Sequence, residues 1–178
     1  MGRGMGLLRE ARPVKLIIAM LVNKVGLFER AERVLVRKFG AIDYESRVLD
    51  FNVTNYYKDE MGDNLLRKFL SFKRLISPGR LREIKLYTNR LEKRFMSNNN
   101  RDLNLDPGYI NEGKVVLAST KDNLQRFYLG RGVYGEVTLY LKGGEYQDLV
   151  WTYPDYKSPE YKKIFSEIRV LFRKQIGR

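Results

Sequence analysis

The 178-residue chain contains neither cysteine nor histidine. Without histidine there is no Ser-His-Asp or Cys-His catalytic set, no imidazole metal ligand and no imidazole general base. Without cysteine there is no disulfide, thiolate nucleophile or cysteine-type metal site, so zinc, haem and iron–sulfur centres are not expected. Any catalysis falls to carboxylates, Lys, Arg, Tyr, Ser or Thr, and any metal would be a hard, oxygen-liganded ion such as Mg2+. Long apolar runs are lacking as well. Val14 to Val22 is interrupted by Lys15, is followed by no small-residue cleavage site and falls far short of the roughly 20 apolar residues of a spanning helix. It reads as a buried strand of a cytoplasmic protein with no membrane partner.

What the chain has in plenty is positive charge: 34 Lys and Arg against 21 Asp and Glu, a net of +13, on a composition that is 43% hydrophobic. The length suits one domain with a real core. A strongly basic chain points to a polyanionic partner or to a basic solvated surface. The charge is unevenly placed. Residues 67–94 hold ten basic and two acidic side chains and residues 157–178 hold seven and two, whereas residues 101–156 hold six and eight. The two basic stretches read as helices, either solvated or docked on RNA or a protein assembly.

Residues 1–12 are Gly- and Arg-rich without periodicity and are expected to lack order; residues 13–178 read as one α+β domain. After the Val14–Val22 strand, Leu27, Ala31, Val34, Leu35 and Phe39 repeat at helical spacing up to Gly40, and Arg47 to Val53 alternates as a strand. Asp63 can cap a helix carrying Leu65, Leu66, Phe69, Phe72 and Ile76. Ser77-Pro78 ends it and opens another with Leu81, Ile84, Tyr87, Leu91 and Phe95, which stops at Asn98-Asn99-Asn100. Four strands follow, over Lys114–Thr120, Arg126–Leu129, Val133–Leu141 and Glu145–Trp151, and then a helix capped by Ser158-Pro159. The expected fold is a mixed, mostly antiparallel sheet of about five to six strands with about four helices.

Site-like residues concentrate between Asn104 and Tyr156. If Leu129 and Val133 flank a three-residue loop, Tyr128 lies opposite Tyr134 and Arg126 opposite Glu136, with Thr138 and Tyr140 on the same face. That polar face is either a binding surface or an ordinary exposed ion pair. Asp106-Pro107-Gly108 has a turn signature, and its Asp can also ligate a cation or orient a ligand. Trp151, Tyr153, Asp155 and Tyr156 precede the last helix, where the rings can stack a base or pack the helix down. Arg131, Lys121 and Tyr109 complete the ligand-binding candidates. Asp106, Asp122, Glu136 and Asp155 are the carboxylates available to Mg2+. No G-x-x-x-x-G-K-[ST] or G-x-G-x-x-G loop is present, and Arg131 to Tyr140 lacks the context of an RNA-recognition-motif strand.

Several blocks occur in a distinctive order. They are Tyr56-Tyr57, Glu60-Met61-Gly62, Lys85-Leu86-Tyr87-Thr88-Asn89, Asn104-Leu105-Asp106-Pro107-Gly108-Tyr109, Ser119-Thr120-Lys121-Asp122, Arg126-Phe127-Tyr128-Leu129-Gly130, Gly135-Glu136-Val137-Thr138-Leu139 and Trp151-Thr152-Tyr153-Pro154-Asp155-Tyr156. Together they resemble the bacterial and archaeal domain of unknown function numbered 4416, from Pro13 to the last helix. The resemblance implies no biochemical activity. Its members often carry His where this chain has Gln125, so imidazole chemistry is either dispensable to the family or lost here.

Three functions are consistent with these residues. The first is binding of a phosphate-bearing ligand, a nucleotide or RNA, around the Arg126/Glu136 hairpin, where guanidinium forks suit phosphate. The second is a carboxylate-based, Mg2+-dependent phosphotransferase or hydrolase. The third is an interaction protein docking through its basic helices.

Overall fold

The computed structural model describes residues 7–52, 57–97 and 100–178. Parts of four expected features fall outside those residues: the unordered start, the end of the strand at Val53, Tyr56, and the helix stop at Asn98-Asn99.

Strand β1 (Lys15–Val22) is the centre of the molecule, pairing antiparallel with β4 on one edge and β7 on the other. Along the chain follow α1 (Gly26–Phe39), β2 (Ile42–Glu45), β3 (Leu49–Phe51), the single turn α2 (Lys58–Met61), β4 (Leu65–Phe72), α3 (Leu81–Glu92), β5 (Met96–Ser97), β6 (Asn100–Arg101), β7 (Leu103–Ile110), β8 (Lys114–Ser119), β9 (Phe127–Gly130), β10 (Val133–Lys142), β11 (Glu145–Asp148) and α4 (Pro159–Gln175). The main sheet runs β11-β10-β8-β7-β1-β4-β2, with β3 added to β4 and β9 to β10, while β5 and β6 form a separate ribbon. Its described pairings are all antiparallel.

Helices cover both faces, which is why β1 reads as a continuous apolar run and not as an alternation. Leu16, Ile18, Met20 and Val22 pack under α1 and α3. Ile17 and Ala19 face the other way, into an aromatic core with Phe69, Tyr156, Tyr161 and Phe165 beneath α4. The final helix starts as expected: the Ser158 side chain accepts a hydrogen bond from the Tyr161 N–H, and Pro159 occupies the first turn. Among the described residues no helix is long and apolar enough to cross a membrane.

Two segments depart from expectation. The helix proposed from Asp63 to Ile76 is a strand, β4, second to the centre of the sheet. Leu, Arg, Lys and Phe favour a helix locally, but a strand covered on both faces carries apolar residues at every position, and tertiary burial overrides propensity. Arg67 and Lys68, assigned to a basic helix face, are therefore buried in a sheet. Asp106-Pro107-Gly108 is not a turn but the second half of β7. The sheet has more strands than the sequence indicated because β2, β4 and β7 were not read as strands; the separate β5-β6 ribbon was not read either.

Candidate ligand-binding cleft

The site originates in a split between neighbouring strands. β7 and β8 pair only where Gly108–Ile110 meets Val115–Leu117, and toward the start of β7 the two strands part. The main-chain groups left open are taken over by α3. The Leu105 N–H donates to Glu92 Oε1 at 2.7 Å, and Lys85 Nζ donates to the Leu105 carbonyl at 3.0 Å. Alternate residues of a strand offer their N–H and C=O on the same edge, so the missing N–H of Pro107 also falls on this open edge. At Gly108 the strands rejoin so closely that a Cβ would lie 2.3 Å from the Val116 carbonyl oxygen. The motif that resembled a turn therefore marks the point of the split: proline where no ladder forms, glycine where it resumes.

Between the parted strands lies a cleft of about 910 Å3. Arg67 of β4 with Asn104 and Asp106 of β7 forms one wall, and Ser119, Lys121, Arg126 and Glu136 form the other. α3 contributes Lys85, Asn89 and Glu92, and Tyr153 to Tyr156, just before α4, close the end. Arg67 stands opposite Leu21 of β1, which in turn stands opposite Asn104 of β7, so the first wall is one row across three strands.

That row carries a charge arrangement with open valences. The Arg67 side chain is 2% exposed; Nη1 lies 3.8 Å from Asp106 Oδ2 and Nη2 3.6 Å from Asp155 Oδ2, with the guanidinium over the Phe51 ring at 4.8 Å. Both carboxylates balance its charge, yet Arg67 Nε and Nη1 have no hydrogen-bond partner. Asp106 is better served: Asn104 Nδ2 donates to Oδ2 at 2.8 Å and Lys85 Nζ lies 3.4 Å from Oδ1. Burial pushes the Asp155 carboxyl above its usual range despite the pull of Arg67, and burial likewise raises Glu92.

The opposite wall is closed. The hairpin loop is two residues long and not three, because Val133 pairs with Gly130. An irregularity before Tyr134 then restores the expected register, with Tyr128 opposite Tyr134, and Arg126, just ahead of β9, pairs with Glu136 as expected. They are not on an exposed face: both side chains are 2% exposed. Arg126 Nε donates to Glu136 Oε2 at 2.9 Å, Nη1 to Ser119 Oγ and the Lys121 carbonyl at 2.8 Å each, and Nη2 to the Tyr153 hydroxyl. Gln125 Nε2 adds a 3.0 Å bond to the same Glu136 oxygen, which leaves Glu136 Oε1 without a partner. Burial is also the main reason that the Tyr153 hydroxyl holds its proton above the usual range.

Of the thirteen ligand-binding candidates read from sequence, the cleft brings together seven: Asp106, Lys121, Arg126, Glu136, Tyr153, Asp155 and Tyr156. The other six lie elsewhere. Tyr109 packs toward α3 on the opposite sheet face. Tyr128 and Tyr134 pack against each other with tilted rings 5.2 Å apart, and Arg131 sits exposed at the hairpin tip in the left-handed region. Thr138 is buried instead of projecting with Glu136, because a bulge between Val137 and Leu139 shifts the register. Trp151 Nε1 donates to the Val137 carbonyl and Thr152 Oγ1 to that of Thr138, so these side chains satisfy the bulge and not a ligand. Three of the four carboxylates offered to Mg2+ line the cleft and Asp122 does not; among the described residues no group of three or more acidic side chains is placed to hold a metal ion.

Arg67, Lys85, Glu92, Arg101 and Asn104 were not among the candidates. The signal for Arg67 was present as a charged pair, Arg67-Lys68, inside the apolar run Leu65–Phe72, which is unusual in a strand covered on both faces. Lys85 and Asn104 stood inside the motif blocks but carried no distinguishing chemistry of their own.

The fold and cleft define a three-layer protein, helices on both faces of an antiparallel sheet, with a mixed-charge pocket where the sheet splits. Residues 12–172 match the model described as Domain of unknown function (DUF4416), and the chain belongs to that family. No curated protein and no solved structure matches the chain.

Proposed function

We propose that the cleft binds a nucleotide, with its base at the Arg67 end and its phosphate at the mouth. The observation that carries this reading is the coexistence, in one cleft, of buried donors without acceptors on Arg67 and a buried acceptor without a donor on Glu136. Native proteins seldom leave such groups unmatched, and a ligand offering both an acceptor and a donor satisfies them together. A nucleobase has that double character, and the volume lies within the roughly 300–1,000 Å3 usual for small-ligand sites. Tyr153 offers a partly exposed ring for stacking. Lys93 and Lys121 line the same cleft and supply positive charge for a phosphate. Arg126 supports the wall and does not serve as the phosphate ligand, because its nitrogens already donate to protein oxygens. A nucleotide ligand accords with a cytoplasmic setting.

A thermal-shift screen over the ribonucleoside mono-, di- and triphosphates, with short RNAs as a parallel arm, tests the reading. A ligand at about 100 times its Kd stabilises the protein by about 2.7 kcal/mol, which for a chain of this size raises Tm by roughly 5–10 °C. A shift with nucleotides that Arg67→Lys removes supports the proposal. No shift with any of them, or one that Arg67→Lys leaves intact, overturns it.

A further inference from the structure

We infer that the surface formed by α1 and α3, on the sheet face away from the core under α4, binds the phosphodiester backbone of a nucleic acid. Residues 24–40 and 73–95 hold thirteen basic and four acidic side chains, and both helices pack on the same side of β1. They lie antiparallel and in contact. Phe39 at the end of α1 meets Tyr87 in the middle of α3 at 5.6 Å, and Arg30 near the start of α1 lies 5.4 Å above the Phe95 ring beyond the end of α3. Lys38 covers the Tyr87 ring at 5.0 Å, and Arg74 donates to the Lys38 carbonyl at 3.1 Å. Cations laid on aromatic rings lose side-chain freedom before any partner arrives, so less ordering is left to do on binding.

The charge on this face is only partly compensated. Among the described residues its ion pairs join Arg33 to Glu29, Lys68 to Glu32 and Arg82 to Glu83, Lys85 and Glu92 turn inward to pair with Asp106 and Arg101 in the cleft, and Arg30, Arg37, Lys38, Arg74, Arg90 and Arg94 take part in none. Arg33 with Arg37 and Arg90 with Arg94 stand one helical turn apart, an arrangement that repels unless a polyanion neutralises it. The α4 side carries less charge, seven basic side chains over residues 157–178, of which Lys162 pairs with Asp148 and Arg178 with Glu112, while Lys163, Arg173 and Lys174 take part in no ion pair among the described residues and serve as the control. Exposed, unpaired cations spread over a two-helix surface suit the closely repeated phosphates of a nucleic-acid backbone, each contact releasing a counterion.

The test is fluorescence anisotropy of the full chain with a labelled RNA of about 20 nucleotides, single-stranded and duplex, at about 50 and 200 mM salt. Engagement of four or five phosphates lowers affinity about a hundredfold between the two. Combined Arg37→Glu, Arg90→Glu and Arg94→Glu, all exposed, weakens binding at least tenfold while leaving Tm and the far-UV spectrum unchanged. Combined Lys163→Glu and Lys174→Glu on α4 changes it less than about twofold. Arg67→Lys, which disables the cleft, leaves RNA binding intact, so failure of the nucleotide proposal is separable from failure of this one. No binding at low salt, equal loss from the α4 variant, or a salt response near zero overturns it. So does tighter binding to anionic vesicles or to an acidic peptide than to RNA.

Discussion

Two arginines reach into one cleft from opposite walls and are held in opposite ways. All three nitrogens of Arg126 donate to protein oxygens, and its carboxylate partner lies at 2.9 Å. Arg67 is equally buried and has two carboxylates, but at 3.6 and 3.8 Å, and two of its nitrogens donate to nothing. Burial and charge do not separate them; hydrogen-bond satisfaction does. A buried cation with its bonds complete holds a wall together, whereas idle donors cost about 1–3 kcal/mol when left unmet, and the proposal of a nucleotide ligand rests on that difference.

The strongest way to break this contrast is Arg67→Ala. It leaves Asp155 without its cation and Asp106 with Lys85 alone, so a loss of about 3–5 kcal/mol in urea unfolding is expected together with loss of nucleotide binding. Arg126→Ala is expected to destabilise by a similar or slightly smaller amount, because it strands Glu136. Replacing both Arg126 and Glu136 by Leu and Met recovers most of that loss, as is usual for a closed buried pair. If the double variant is no more stable than Arg126→Ala, Arg126 and Glu136 are not a self-contained pair.

Gly108→Ala probes the split itself. Its Cβ would meet a main-chain oxygen of β8, so a loss of about 1–3 kcal/mol is expected, against almost none for an alanine at exposed Gly113, which has no neighbour within 4 Å. The smallest expected effect concerns pH. The carboxyl of Asp155 is raised by burial, so its contribution to stability is complete below the ordinary carboxyl range and is lost as pH rises through the raised value. Asp155→Asn stays neutral throughout and flattens the stability curve in that window. The exposed carboxylates Glu112 and Asp148 go the other way: hydrogen bonds from Arg178 and Lys162 hold them below their usual range, so their contribution is lost on acidification.

How far these features were legible in sequence follows from the range of each signal. The hairpin register, including Arg126 opposite Glu136, was readable because strict alternation and a Gly-rich turn are local. The register failed beyond Val137, where the bulge inverts the faces and buries Thr138. β1, α1 and α4 carried clear runs, periodicity and caps, and were read close to their observed bounds. β4 and β7 were missed for opposite reasons: one is apolar on both faces and mimics a helix, and the other contains Pro107-Gly108, which outweighs its strand character locally. The cleft depends on both. Arg67, Lys85 and Asp106 come from three separate elements that only the pairing of β1 with β4 and β7, and the docking of α3, bring together.

The most direct test is calorimetric titration with the four ribonucleoside monophosphates of the wild-type chain, Arg67→Lys and Arg126→Lys, each first checked for an intact fold. If Arg67 is the ligand-facing cation, Arg67→Lys weakens binding at least about tenfold, the equivalent of about 1.4 kcal/mol, and Arg126→Lys changes it by less than about threefold. The reverse order, with Arg126→Lys abolishing binding and Arg67→Lys leaving it intact, would contradict the assignment.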